Sequence, residues 1–125
     1  MTVMDGIKKV MVVEDEVLLL LDLVDNLAGE GIDALPLARA DGAARTLCQS
    51  DIDALITDIE LPGTNSGLDL AWRCAQLKPN LPIVVVSGGV RPTPAQLPPG
   101  AVFIPKPYSI RQILAGLDRQ HRHAA

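Results

Sequence analysis

The sequence predicts an α/β fold, a doubly wound five-stranded parallel sheet with helices on both faces, and three observations predict it. Strand-like apolar segments recur at residues 8–13, 33–37, 54–57, 83–86 and 102–104. Most are short continuous runs rather than alternating ones, the pattern of strands buried on both faces in a parallel sheet. Helix-like stretches at residues 16–28, 41–49, 67–77 and 109–122 fill most of the intervals, so strand and helix alternate along the chain.

Each element has its own local reason. The first strand runs directly into Glu14 and Asp15. In the first helix Val17, Leu20, Leu21, Val24, Leu27 and Ala28 repeat at three- and four-residue intervals, and Gly29 and Gly31 supply a stop. Leu18 and Leu19 fall outside that stripe, beside Asp22, Asp25 and Asn26. Asp41 is the expected N-cap of the second helix, Asn65 or Ser66 of the third and Ser109 of the last. The third strand leads into Asp58 and the turn Leu61, Pro62, Gly63. Between Gly88 and Gly100 stand Pro92, Pro94, Pro98 and Pro99, a density no regular helix tolerates. The fourth helix is therefore expected to be one short turn near Pro94, or absent. Trp72 and Tyr108 are read as packing residues. His121 and His123 are read as part of a basic, frayed tail at residues 121–125 rather than as ligands.

The chain has 125 residues, 48% of them hydrophobic, enough for one core and too few for two. One domain over residues 1–125 is expected, with its core at about 7–120, no linker and no output module. Eleven basic against 15 acidic residues give a net charge of −4, which offers no general attraction for nucleic acid or anionic lipid. The longest apolar runs, at residues 10–13 and 17–21, fall well short of the roughly 20 residues that cross a bilayer. No basic segment followed by an apolar one opens the chain, so a cytoplasmic protein is expected. Cys48 and Cys74 stand singly in helices and are expected to be buried and reduced.

In a parallel sheet of this kind the carboxyl ends of the strands converge on one crevice where ligands bind. That places Glu14, Asp15, Asp58, Ser87 and Lys106 in one pocket. Crowded carboxylates repel unless a cation neutralises them, and hard oxygen ligands suit Mg²⁺. A carboxylate beside Mg²⁺ can attack phosphorus while the metal, a lysine and a hydroxyl stabilise the equatorial oxygens. Asp58 is the expected nucleophile, because it ends the central strand and a turn follows it.

The segments VMVVEDE, LITDIELPG, VVVSGG and VFIPKPY, in that order and each at a strand end, closely resemble the receiver domains of bacterial response regulators over essentially the whole chain. The resemblance implies the flavodoxin-like receiver fold and a stand-alone, single-domain regulator in two-component phosphorelay signalling. It implies that Asp58 accepts a phosphoryl group from a histidine kinase or histidine phosphotransfer protein. Asp15 would bind Mg²⁺ directly, Glu14 mostly through water, and the backbone carbonyl of Glu60 would complete the set. Lys106 would contact the phosphoryl oxygens, and Gly88 would keep the site open. Ser87 and Phe103 would form a two-state switch read by an unknown downstream protein, and Lys106–Pro107 would be a cis peptide.

The chain also departs from the family pattern. The prolines weaken any dimer or partner face built on a fourth helix, so a monomer or weak dimer is expected. The loop after Asp58 is one residue longer than usual. Glu60 stands two residues past the nucleophile, where its charge is expected to tune the phosphoryl lifetime severalfold. Leu18 and Leu19 form a candidate docking patch for a four-helix phosphodonor. Two other readings remain open: a degenerate receiver that binds a partner constitutively, and an aspartyl-nucleophile phosphohydrolase. The complete acidic set argues against the first. The lack of a DxDxT motif after the first strand argues against the second, and no GxGxxG or GxxxxGK[ST] loop provides for a nucleotide. No enzymatic turnover beyond the chain's own phosphorylation and dephosphorylation is expected.

Overall fold

The structure, a computed structural model, describes residues 6–63 and 65–124, with side chains as far as Asp118. Five parallel strands form one sheet in the order β2-β1-β3-β4-β5: β1 (Lys9–Val13), β2 (Asp33–Leu37), β3 (Ala54–Asp58), β4 (Ile83–Ser87) and β5 (Val102–Pro105). The helices are α1 (Val17–Gly29), α2 (Ala43–Gln49), α3 (Gly67–Leu77) and α4 (Ile110–Ala124). This is the flavodoxin-like order, which reverses direction between β1 and β3 and opens a crevice at that point.

Strand periodicity divides the core in two. Val10, Val12, Ala54, Ile56, Val84 and Val86 face α1 and α4, where they meet Leu23, Leu27, Ile113 and Leu117. The intervening Met11, Val13, Leu55, Ile83 and Val85 face α2 and α3, against Ala43, Leu47, Leu70 and Cys74. Both faces of the inner strands are dry, which is why they read as continuous apolar runs. Each fully buried Val, Leu or Ile contributes roughly 1.5–3 kcal/mol. The outer strands β2 and β5 are less buried, and each contains a proline, Pro36 and Pro105.

Several sequence expectations are corrected here. The buried stripe of α1 is Leu23 and Leu27, with Leu20 packed beside them, whereas Val17 (62% exposed), Leu18 (81%) and Leu21 (54%) face outward and Leu19 is half-buried. The run of leucines allowed more than one stripe at helical spacing, and only tertiary packing selects between them. Asp41 is not the cap of α2. Gly42, at φ 80°, is the N-cap, and Asp41 instead accepts from Arg39 Nη2 at 2.8 Å. Ser66 caps α3 through a reciprocal capping box with Asp69, and Ser109 does the same for α4 with Gln112. Cys74 is buried but Cys48 is exposed, and both are free thiols. Trp72 is 39% exposed rather than packed away.

The proline-rich interval holds only a single 3₁₀ turn, Pro94–Gln96. This short strap is fastened rather than loose. Trp72 Nε1 of α3 donates to the Gln96 carbonyl at 2.9 Å, and Leu97 packs against the core on that face. The expected frayed tail at residues 121–125, with His121 and His123, lies outside the described side chains. No described helix is long and apolar enough to cross a membrane.

Candidate functional site

All five residues singled out at the strand ends meet in the crevice. β1 delivers Glu14 and Asp15, β3 ends on Asp58, β4 ends on Ser87, and Lys106 follows β5. The β4–β5 ladder continues one step past the strands, with Lys106 N donating to the Ser87 carbonyl at 2.9 Å. That bond brings the lysine beside the serine. The Lys106–Pro107 peptide is cis, as expected.

Asp58 is only 3% exposed, yet its carboxylate faces its partners in the crevice. Oδ2 accepts from Lys106 Nζ at 2.8 Å, and Oδ1 accepts from the Glu60 amide at 3.3 Å. Glu14 is also 3% exposed and lies 2.8 Å from the same Nζ through Oε1. That contact is an ion pair without an aligned hydrogen bond, so Glu14 Oε1 is a buried acceptor with no donor directed at it. The other oxygen, Oε2, accepts from the Glu16 amide at 3.1 Å at the start of α1, so Glu14 also serves that helix end.

The electrostatics follow from this crowding. Burial pushes the Asp58 carboxyl up to about 6, the Lys106 contact opposes that rise, and the Glu14 charge adds to it. Burial works against the charge on Lys106, but the bond to Asp58 and the adjacent Glu14 carboxylate outweigh it and hold the ammonium above its ordinary range. One lysine thus serves two carboxylates. Tyr108 nearby is pushed up to about 12, first by burial and then by the Glu14 charge.

Glu14, Asp15 and Asp58 each offer an oxygen, and these three atoms lie within 4.8 Å of one another. Asp15 is exposed, whereas Glu14 and Asp58 are buried. An all-oxygen set of this kind, with one buried oxygen lacking a donor and one carboxyl held high, fits a hard divalent cation.

Sequence reading missed two features. Gly67, the first residue of α3, lies so close to the end of β3 that an added Cβ would sit 1.7 Å from the Asp58 carbonyl oxygen. Its own N–H bonds the Ile59 carbonyl at 2.9 Å, so α3 braces the end of β3 directly. Within NSGLD a glycine looks like ordinary loop composition, and nothing local signals the contact. The second is the Glu60 side chain, whose Oε1 and Oε2 both lie 2.8 Å from Ser87 Oγ. Gly88, by contrast, has ordinary room, since an added Cβ would meet the Lys106 stem at 3.8 Å. Phe103 is half-buried, with the Arg91 guanidinium 5.6 Å from its ring centroid.

Residues 10–118 match the family model described as response regulator receiver domain. A receiver protein from Sinorhizobium medicae WSM419 superposes with a TM-score of 0.88 at 23% identity, covering 98% of this chain and 100% of that one. The beryllofluoride-activated NtrC4 receiver domain dimer superposes with a TM-score of 0.82 at 20% identity, covering 95% and 100%. The DNA-binding transcriptional regulator NtrC of Bradyrhizobium sp. (strain RP501 Parasponia) is 26% identical over 117 residues, 88% of this chain. The chain spans only 23% of that relative's length.

Proposed function

Since the chain belongs to the response regulator receiver domain family, we propose that it accepts a phosphoryl group on Asp58 from a phosphohistidine of a histidine kinase or phosphotransfer protein, and so switches protein contacts. The observation that carries this reading is the Asp58 carboxylate, ending the central strand within 2.8 Å of Lys106 Nζ and within 4.8 Å of ligand oxygens on Glu14 and Asp15. An Asp58 oxygen attacks phosphorus, the P–N bond to the donor imidazole breaks, and the imidazole leaves with the bonding pair. Lys106 offsets charge on the phosphoryl oxygens. Glu14, Asp15 and Asp58, with the Glu60 backbone carbonyl, would hold Mg²⁺, which supplies charge neutralisation at the nucleophile and the phosphoryl group. Hydrolysis of the acyl phosphate returns the carboxylate, so the chemistry is confined to the chain's own side chain.

The switch reading rests on Ser87 and Phe103 on adjoining strands. Ser87 is buried, and Phe103 is half-buried under Arg91. The docking reading moves slightly from its sequence form. The exposed apolar residues at the start of α1 are Val17, Leu18 and Leu21, with Leu19 turned partly inward. They adjoin the acidic crevice and suit the apolar face of a helical donor.

Acetyl phosphate with Mg²⁺ is expected to phosphorylate the protein, and Asp58→Asn to abolish the label while leaving the fold intact. Label on Asp58→Asn, or none on the wild type, would overturn the proposal. Leu18→Asp is expected to slow transfer from a cognate donor at least tenfold but leave labelling by acetyl phosphate unchanged. Equal slowing of both would remove the docking role.

A further inference from the structure

Resting on the phosphoacceptor reading, we propose that Glu60 is a positioning residue that holds the Ser87 hydroxyl in the unphosphorylated state and competes with the phosphoryl group for its proton. A serine hydroxyl has one proton to donate and two lone pairs to accept with. Here all three are engaged. The proton goes to the Glu60 carboxylate, whose oxygens are both 2.8 Å away. The lone pairs take the amides of Gly89 at 3.2 Å and Val90 at 2.9 Å. Ser87 is 2% exposed, so it has no spare capacity to offer an incoming ligand.

A phosphoryl oxygen on Asp58 can only accept. To reach it, Ser87 must withdraw its proton from Glu60, and one bond forms as the other breaks. Glu60 itself is exposed, so once released its carboxylate is taken up by water. An added Cβ at Gly89 would stand 3.8 Å from Glu60 Oε1, ordinary van der Waals contact, so space at this glycine does not limit the carboxylate. The acidic side chain therefore sets the threshold at which phosphorylation captures the hydroxyl. This goes beyond a general effect of its charge on phosphoryl lifetime, because it acts through one named atom.

The test is a double-mutant cycle read by beryllofluoride titration with Mg²⁺, following the amides of Gly89 and Val90 by NMR. Glu60→Ala is expected to bind about five- to tenfold more tightly than wild type, the scale of the net contribution of one hydrogen bond. Glu60→Gln, which keeps a weaker neutral acceptor, is expected to fall between them. In a Ser87→Ala background the gain from Glu60→Ala is expected to vanish. Without Mg²⁺ or beryllofluoride, Glu60→Ala is expected to shift the Gly89 and Val90 amide resonances, because their acceptor changes its own partner. A gain that persists in Ser87→Ala would mean simple charge repulsion and overturn the latch. Equal affinity of wild type and Glu60→Ala would overturn it while leaving the phosphoacceptor reading standing. Failure of wild type to bind beryllofluoride with Mg²⁺ would overturn both.

Discussion

At Asp58 reactivity and stability pull in opposite directions. Its carboxyl is pushed up to about 6 by burial, so the folded chain holds this proton more readily than the unfolded one. Between the ordinary 3.8 and about 6 the fold binds more protons than the unfolded state, and metal-free stability falls as pH rises through that window. With EDTA present, Asp58→Asn is expected to stabilise the protein at pH 7 by about 1–2 kcal/mol and to have little effect at pH 4, as read from thermal melts. A variant less stable than wild type at pH 7 would show that the Lys106 bond outweighs the burial cost. Gly67 carries the opposite kind of constraint. Gly67→Ala forces a methyl into the Asp58 carbonyl and is expected to cost at least about 2 kcal/mol in urea unfolding, far more than an ordinary helix substitution. The crevice residues were legible because strand ends converge by topology, and Glu14, Asp15, Asp58, Ser87 and Lys106 needed only their order in the chain. Gly67 and the Glu60 carboxylate were not, since their roles depend on atoms 9 and 27 positions away.

Among the elements, those with a single possible reading matched and those with several did not. β2 agrees to the residue, and the inner strands differ by one position at most, because a continuous apolar run between polar residues has only one place to lie. In α1 six of the first seven residues are apolar and more than one stripe could have faced the core, so tertiary packing rather than the sequence chose Leu23 and Leu27. Asp41 lost its capping role because Gly42 takes the left-handed conformation that starts α2. The prolines, by contrast, excluded a regular helix after β4 through their missing amides, and of the two outcomes this left the short turn near Pro94 is the one found. What they did not reveal is its anchor. Trp72→Phe removes the bond to the Gln96 carbonyl and is expected to cost about 1 kcal/mol and to speed amide exchange at residues 96 and 97. Unchanged exchange there would mean that Leu97 packing alone holds the strap.

For the molecule as a whole, stability is expected to depend on a cation in the acidic crevice. Mg²⁺ at ten times its dissociation constant is expected to add about 1.4 kcal/mol and raise the melting temperature by several degrees. Asp58→Asn should lose most of that increment, and a melting curve indifferent to Mg²⁺ would argue against a cation among Glu14, Asp15 and Asp58. The overall architecture was readable throughout, since alternation of strands and helices admits few arrangements once connections are short and right-handed. A last consequence lies at the borders of the sheet. Pro36 on one margin and Pro105 on the other each remove a donor from the row that an incoming chain would have to pair with. A sixth strand, whether from a neighbouring copy or an unfolded polypeptide, would meet a gap at either side, so these two rings guard the concentrated protein against growing into fibres.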